Sequence, residues 1–190
     1  MRLLQGIPAL AAALLLGVLG CGGGKSSSGP SLAYTNPTTN SADFQLVQDS
    51  ASTGHNLVLD LVGPSGTSGV GVTFSFKLDT SQASWGTSPA VTNGNVFSLG
   101  SGTQLAKGWV TSGQLQGIVS NKGLTGSSVV SDLSLSTSAT SGILAKIQIQ
   151  PASGATTGSA TLTDGGLGTL LDSTGGISAI TVDVGTLQLQ

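Results

Sequence analysis

Residues Gly69 to Asp79 read GVGVTFSFKLD, and the alternation in this stretch decides the fold. Val70, Val72, Phe74, Phe76 and Leu78 are apolar, whereas Thr73, Ser75 and Lys77 between them are polar or charged. Successive side chains of a β-strand point to opposite faces, so a period of two describes a strand with one buried and one wet face. The apolar row holds two of the four Phe residues of the chain, and aromatic rings bury more area than aliphatic side chains. The core is expected to gather around Phe74 and Phe76, with this strand central in an antiparallel sheet.

On the N-terminal side, Asp43 to Gln48 sets Phe44 and Leu46 on one face. Leu57, Leu59 and Leu61 then alternate with Val58, Asp60 and Val62, and Gly63-Pro64-Ser65-Gly66 turns the chain. On the C-terminal side, Asp79-Thr80-Ser81-Gln82 closes the strand with good N-cap residues that could start a single helical turn. Asn93-Gly94, between Val91 and Val96-Phe97, is a hairpin signal. Leu115 to Ser120, Ser131 to Ser136, Ile143 to Gln150, Ala160 to Thr163, Ile177 to Val184 and Thr186 to Leu189 supply further strands. Pro151 ends one of them, and Gly165-Gly166 and Gly175-Gly176 mark turns. The chain has no Glu and a single Arg, and Ser, Thr, Gly and Val dominate, so little helix is expected. About nine short strands at intervals of roughly 10 to 15 residues, with no sequence repeat, read as an all-β antiparallel β-sandwich.

The amino terminus is of another kind. Arg2 precedes an apolar run from Ile7 to Leu19, too short to span a bilayer but suited to a secretory signal. The run ends in Val18-Leu19-Gly20-Cys21, which resembles the lipobox of bacterial lipoproteins, and Cys21 is the only Cys. That resemblance implies cleavage before Cys21, acylation of its sulfur and amine, and stable anchoring to a membrane by more than one chain. Gly22 rather than Asp at the next position resembles default sorting to the outer membrane, so an outer-membrane or cell-surface lipoprotein is the expected location. Residues 1–20 are read as signal peptide, 21–40 as lipidated Cys and flexible linker, and 41–190 as the folded domain. The linker run GGGKSSSGPS from Gly22 to Ser31 would hold that domain on the order of 20 Å off the membrane.

The run VGVTFSFKLDTSQ, the segment GILAKIQIQPASGATTGSATLT and the closing ISAITVDVGTLQLQ resemble the cohesin domains of cellulosome scaffolds and related carbohydrate-binding modules. In that family an alternating strand ends in Tyr-Asp-Pro; here Leu78 and Thr80 replace the outer two, and Asp79 agrees. Gly142-Ile143-Leu144-Ala145 fits the later Gly-x-Leu-Ala segment. The resemblance implies a jelly-roll sandwich that docks a protein partner or attaches to polysaccharide. Its motifs are core and turn positions, so it speaks for fold more than for function.

Candidates for catalysis are scarce. His55 is the only His, set beside Gly54 in a turn, and without Glu a glycosidase pair would need two Asp. Asp60 and Asp183, each between apolar neighbours, are expected to point outward. No catalytic residue is assigned, no metal site and no cofactor. Structural calcium on the loops at Asp164-Gly165-Gly166 and Asp172 to Gly176 is the one ion the sequence could accommodate, although neither is an EF-hand. Gly22 to Ser26 lacks the spacing and strand of a phosphate loop. Five Lys against eight Asp form no basic patch after signal removal, which speaks against nucleic acid.

The reading is a non-enzymatic, lipid-anchored binding module for a protein partner, with a carbohydrate-binding module or a structural envelope lipoprotein as alternatives. Candidate contact residues are Thr73, Ser75 and Lys77, the wet row of the central strand. Trp85 and Trp109 are added as aromatic groups that could stack on sugars.

Overall fold

The computed structural model describes residues 29–40, 42–64, 68–87, 90–94, 105–120, 133–134, 142–172 and 174–190. The signal, Cys21, the second arm of the Asn93-Gly94 hairpin and most of the Ser131 to Ser136 strand lie outside them. Every element among the described residues is a strand. In chain order these are β1 Leu32–Thr35, β2 Phe44–Gln48, β3 Leu57–Val62, β4 Ser68–Gly69, β5 Gly71–Leu78, β6 Ala83–Trp85, β7 Val91–Asn93, β8 Leu105–Thr111 and β9 Gln114–Ser120. They are followed by β10 Leu133–Ser134, β11 Ile143–Pro151, β12 Gly158–Ala160, β13 Leu162–Asp164, β14 Gly168–Leu171, β15 Ile177–Ile180, β16 Val182–Val184 and β17 Thr186–Leu189.

Two large sheets carry the architecture. One has the order β16-β2-β3-β11-β6, with β7 also on β11; the other has the order β15-β14-β5-β9-β8, with β13 also on β5. The stretch GVTFSFKL is therefore the central strand of its sheet. Its inner row of Val72, Phe74, Phe76 and Leu78 is buried, and the two rings meet at 5.7 Å between centroids. Across the sandwich lie Leu57, Leu59 and Leu61 of β3 and Ala145, Ile147 and Ile149 of β11, all without solvent exposure. Gly117 pairs with Phe74 on the inner face, where a Cβ would run into the Phe74 ring. The β8–β9 hairpin turns at Ser112 and Gly113, with φ of 50° and 78°. Two successive positive φ values give the primed turn whose twist matches paired strands.

Several expected strands are split because the chain changes sheet without turning back. Residues 158–164 pass from β12, which pairs with β17, into β13, which pairs with β5. Residues 177–189 run through β15 on β14, β16 parallel to β2, and β17 between β1 and β12. These crossings close the sides of the sandwich and make it a jelly roll. Asp79 closes β5 as expected: its Oδ1 accepts the Ser81 N–H at 3.0 Å, and Gln82 and Ala83 donate to its carbonyl, a single turn.

The folded region begins earlier than the expected boundary near Asn40. Leu32 to Thr35 form β1, with Leu32 and Tyr34 buried and Ser31 and Gln190 exchanging backbone hydrogen bonds. Tyr34 hydroxyl donates to the Leu46 carbonyl at 2.9 Å and accepts from the Gly185 N–H at 2.6 Å, tying β1 to β2 and to the β16–β17 link. Burial pushes this phenol up to about 12. The linker composition concealed the strand because its buried residues, Leu32 and Tyr34, number only two.

Candidate functional site

The outer face of the β15-β14-β5-β9-β8 sheet follows from its register. Thr73 lies beside Ile118 and Thr169, Ser75 beside Gln116, and Lys77 beside Gln114. Gln116 in turn lies beside Trp109, and Ile118 beside Lys107. Trp109 is 45% exposed, and its indole N–H donates to Gln116 Oε1 at 3.0 Å, which holds the ring on the sheet. Leu167 is 57% exposed and Ile177 73% exposed, on the other side of β5.

Ser75 departs from the expected open row, since it has no solvent exposure. Residues 165–167, between β13 and β14, cross over it. Gly165 N–H donates to the Ser75 carbonyl at 2.8 Å, and Leu167 N–H donates to Ser75 Oγ at 3.2 Å. A Cβ on Gly165 would strike Ser75 Oγ, so only Gly lets the backbone pass this close. Thr73 is half-buried, sharing a 2.7 Å hydrogen bond with Thr169 Oγ1, and Lys77 is exposed. The polar row therefore contributes Lys77 and part of Thr73 to the surface, and the crossing segment places Leu167 there instead.

The two Trp residues do not form one platform. Trp85 of β6 is buried in the core, with its indole N–H donating to the Gly113 carbonyl at 3.0 Å. Trp109 alone faces solvent. Two shallow depressions mark the face, one of about 210 Å³ bordered by Thr73, Trp109, Gln116 and Leu167, the other of about 130 Å³ bordered by Ile118, Leu171 and Ile177. An apolar line thus runs obliquely over a hydrogen-bonded sheet. Lys77 and Lys107 stand on the same face, and neither forms a salt bridge among the described residues.

Asp60 is the second correction. It lies between Leu59 and Leu61 as read, but its side chain is only 2% exposed. The register sets it beside Lys146 of β11, whose Nζ lies 3.0 Å from Asp60 Oδ1 and also against Asp49 Oδ2. Burial pushes the Asp60 carboxyl up to about 6 against the pull of Lys146. The hydrogen bond from Lys146, followed by that from the Ala51 N–H, holds Asp49 below its ordinary value. Burial lowers Lys146, but the hydrogen bonds to both carboxyls outweigh it and keep the ammonium above its usual range. This cluster was missed because it needs the β3–β11 register, which no local pattern supplies.

The loops considered for calcium use their carboxylates internally. Asp172 Oδ1 accepts N–H groups of Thr174 and Gly176 and the Thr174 hydroxyl, the last of these chiefly holding its carboxyl below the ordinary value. Asp164 accepts from Gly166 N–H and, with its other oxygen, from Val182 N–H at 3.0 Å, bridging the two sheets. No cluster of three metal-ligating side chains occurs among the described residues. His55 is exposed in the turn closed by Thr53 and Asn56.

With this geometry the chain can be set beside known proteins. It matches the sixth cohesin from the scaffoldin B of Acetivibrio cellulolyticus, solved in complex with a Cel5 dockerin. The TM-score is 0.50 at 17% identity, over 76% of this chain and 96% of that one. A type II cohesin domain from the cellulosome of the same organism gives 0.51 at 14% identity, over 76% and 93%. The fold is cohesin-like. No family model and no curated protein sequence matches the chain. The cohesin-like sandwich accounts for nearly the whole length of both relatives, so the match is to a complete domain.

Proposed function

We propose that this chain is a lipid-anchored, non-enzymatic docking module that receives a protein partner on the outer face of the β15-β14-β5-β9-β8 sheet. The observation that carries the reading is the apolar line of exposed Trp109, Leu167 and Ile177 with half-buried Ile118 among them, set on a hydrogen-bonded sheet face and rimmed by Lys77 and Lys107. Exposed apolar side chains in a contiguous row, bordered by polar ones, mark interaction surfaces. The cohesin relative solved with a dockerin gives a precedent for docking on this fold. Cys21 provides the anchor, on the outer membrane or cell surface, and the short Gly/Ser segment after it presents the domain to partners.

The test is capture of a partner from envelope extract by the purified protein. Trp109→Ala and Leu167→Asp are expected to abolish capture and leave the melting temperature nearly unchanged. Capture at wild-type level by both variants would overturn the assignment of the face. Exposed Trp109 also favours a carbohydrate-binding reading, in which one ring stacks on a sugar. Retention on an insoluble polysaccharide that Trp109→Ala removes, with no protein captured, would put that reading first. Substrate turnover lost on changing His55 or a single Asp would contradict both.

A further inference from the structure

The Asp49–Lys146–Asp60 cluster contains one carboxyl more than an ion pair needs. Lys146 and Asp60 are direct cross-strand partners on β11 and β3, and Asp49 reaches the same Nζ from just beyond β2. Side-chain exposures are 32%, 11% and 2% for Lys146, Asp49 and Asp60. A second buried carboxylate beside an already paired ammonium is a cost to a purely structural pair. It is useful, however, to an amine and a carboxyl that must exchange protons.

We propose that Lys146 and Asp49 condense into an intramolecular amide cross-link, with Asp60 as the proton carrier. Asp60 takes one proton from the Lys146 ammonium and delivers it to the Asp49 carboxylate, which leaves a neutral amine against a neutral carboxylic acid. The amine lone pair attacks Asp49 Cγ, and the Nζ–Cγ bond forms. A second nitrogen proton passes through Asp60 to an Asp49 oxygen, that C–O bond breaks, and water leaves. Ammonium and carboxylate become amide and one water, with nothing oxidised or reduced and no net proton change.

Three features favour the step. Nucleophile and electrophile are held in contact by the sheet, which replaces a bimolecular encounter with a fixed geometry. Asp60, its carboxyl raised by burial, and Asp49 both contact the Lys146 Nζ, which sets a group able to give and take a proton beside both reacting partners. Condensation also removes an ammonium and a carboxylate from a partly dry site. The product would tie β11 to the end of β2 across β3, closing a loop between residues 97 apart. In a chain whose only Cys is Cys21, it would do the work of a disulfide.

The experiment is proteolytic digestion of the folded, purified full chain, with the peptides identified by mass spectrometry. The expected product is a branched peptide that joins the segments holding Asp49 and Lys146, lighter by one water than their sum. It should be absent from Lys146→Arg and from an Asp60→Asn chain whose thermal melt shows it folded. Wild-type protein that yields the two segments only as separate peptides would overturn the proposal and leave an ordinary ion pair. A folded Asp60→Asn chain that cross-links as fully as wild type would overturn the role given to Asp60.

Discussion

Two residues with similar local sequence show how position in the sheet sets their energetics. Phe74 and Ser75 both lack solvent exposure, one packed in the core and the other roofed by residues 165–167. Phe74→Ala should cost about 3–5 kcal/mol, the range for a large ring removed from a packed core. Ser75→Ala should cost about 1 kcal/mol, because it strands the Leu167 N–H; chemical denaturation of both variants checks the contrast. Asp60 adds a pH dependence. Its carboxyl is raised from 3.8 to about 6, so the folded state holds this proton more tightly than the unfolded state. Its contribution to stability is therefore greatest at and below pH 3.8 and falls as pH rises towards 6. At about 1.4 kcal/mol for each tenfold change in proton affinity, that difference bounds the contribution at about 3 kcal/mol, and solvent reaching the cluster at partly exposed Lys146 lowers it. The melting-temperature difference between wild type and Asp60→Asn should shift towards the variant as pH rises from 4 to 6, whatever its value at pH 4, and parallel profiles would refute the assignment.

At the scale of elements, β1 is the strand whose removal says most. It pairs residue for residue with β17, and its Tyr34 bonds both Leu46 and Gly185. A chain that starts at residue 41 would strip β1 from β17 and expose Leu187 and Leu189, which are buried in the intact sandwich. Its melting temperature should fall well below that of a chain starting at residue 29. Tyr34→Phe in the longer chain should cost about 1–3 kcal/mol, since a part-buried N–H and a buried carbonyl lose their partner. Equal stability of the two chain lengths would mean that the domain does begin near Asn40.

For the whole molecule, β1 and β17 lie side by side, so the tether of the proposed anchor would join the sandwich next to Gln190. A pull between membrane and partner would then enter the fold through β1. Intact mass of protein extracted from membranes should show an N-terminus at Cys21 carrying acyl chains. A mature, water-soluble form that starts elsewhere would remove the anchor from the proposed function. The proposed docking face would be unaffected in that case, because Trp109, Leu167 and Ile118 lie on strands and a crossing segment far from Cys21 in sequence.

The sequence by itself determined the sandwich. Period-two alternation in residues 69–79 and 143–150 tells which face turns to the core, because a strand points its side chains to either face in turn, and Gly and Pro punctuate the ends; in residues 57–62 both faces are buried. It also determined the inner row, since Phe74 and Phe76 have no other place to bury their area. What lies outside that row was decided by tertiary structure. Ser75 and Asp60 obey the alternation and still lose their solvent, one to a Gly-containing crossing segment, the other to Lys146 of β11 and to Asp49 just beyond the neighbouring β2. Trp85 and Trp109 carry similar local signals, each beside a Gly. Only their strands' places decide that one ring fills the core and the other faces water. Periodicity tells which side of a strand a residue is on, whereas what covers that side depends on register and crossings set by residues a hundred positions away.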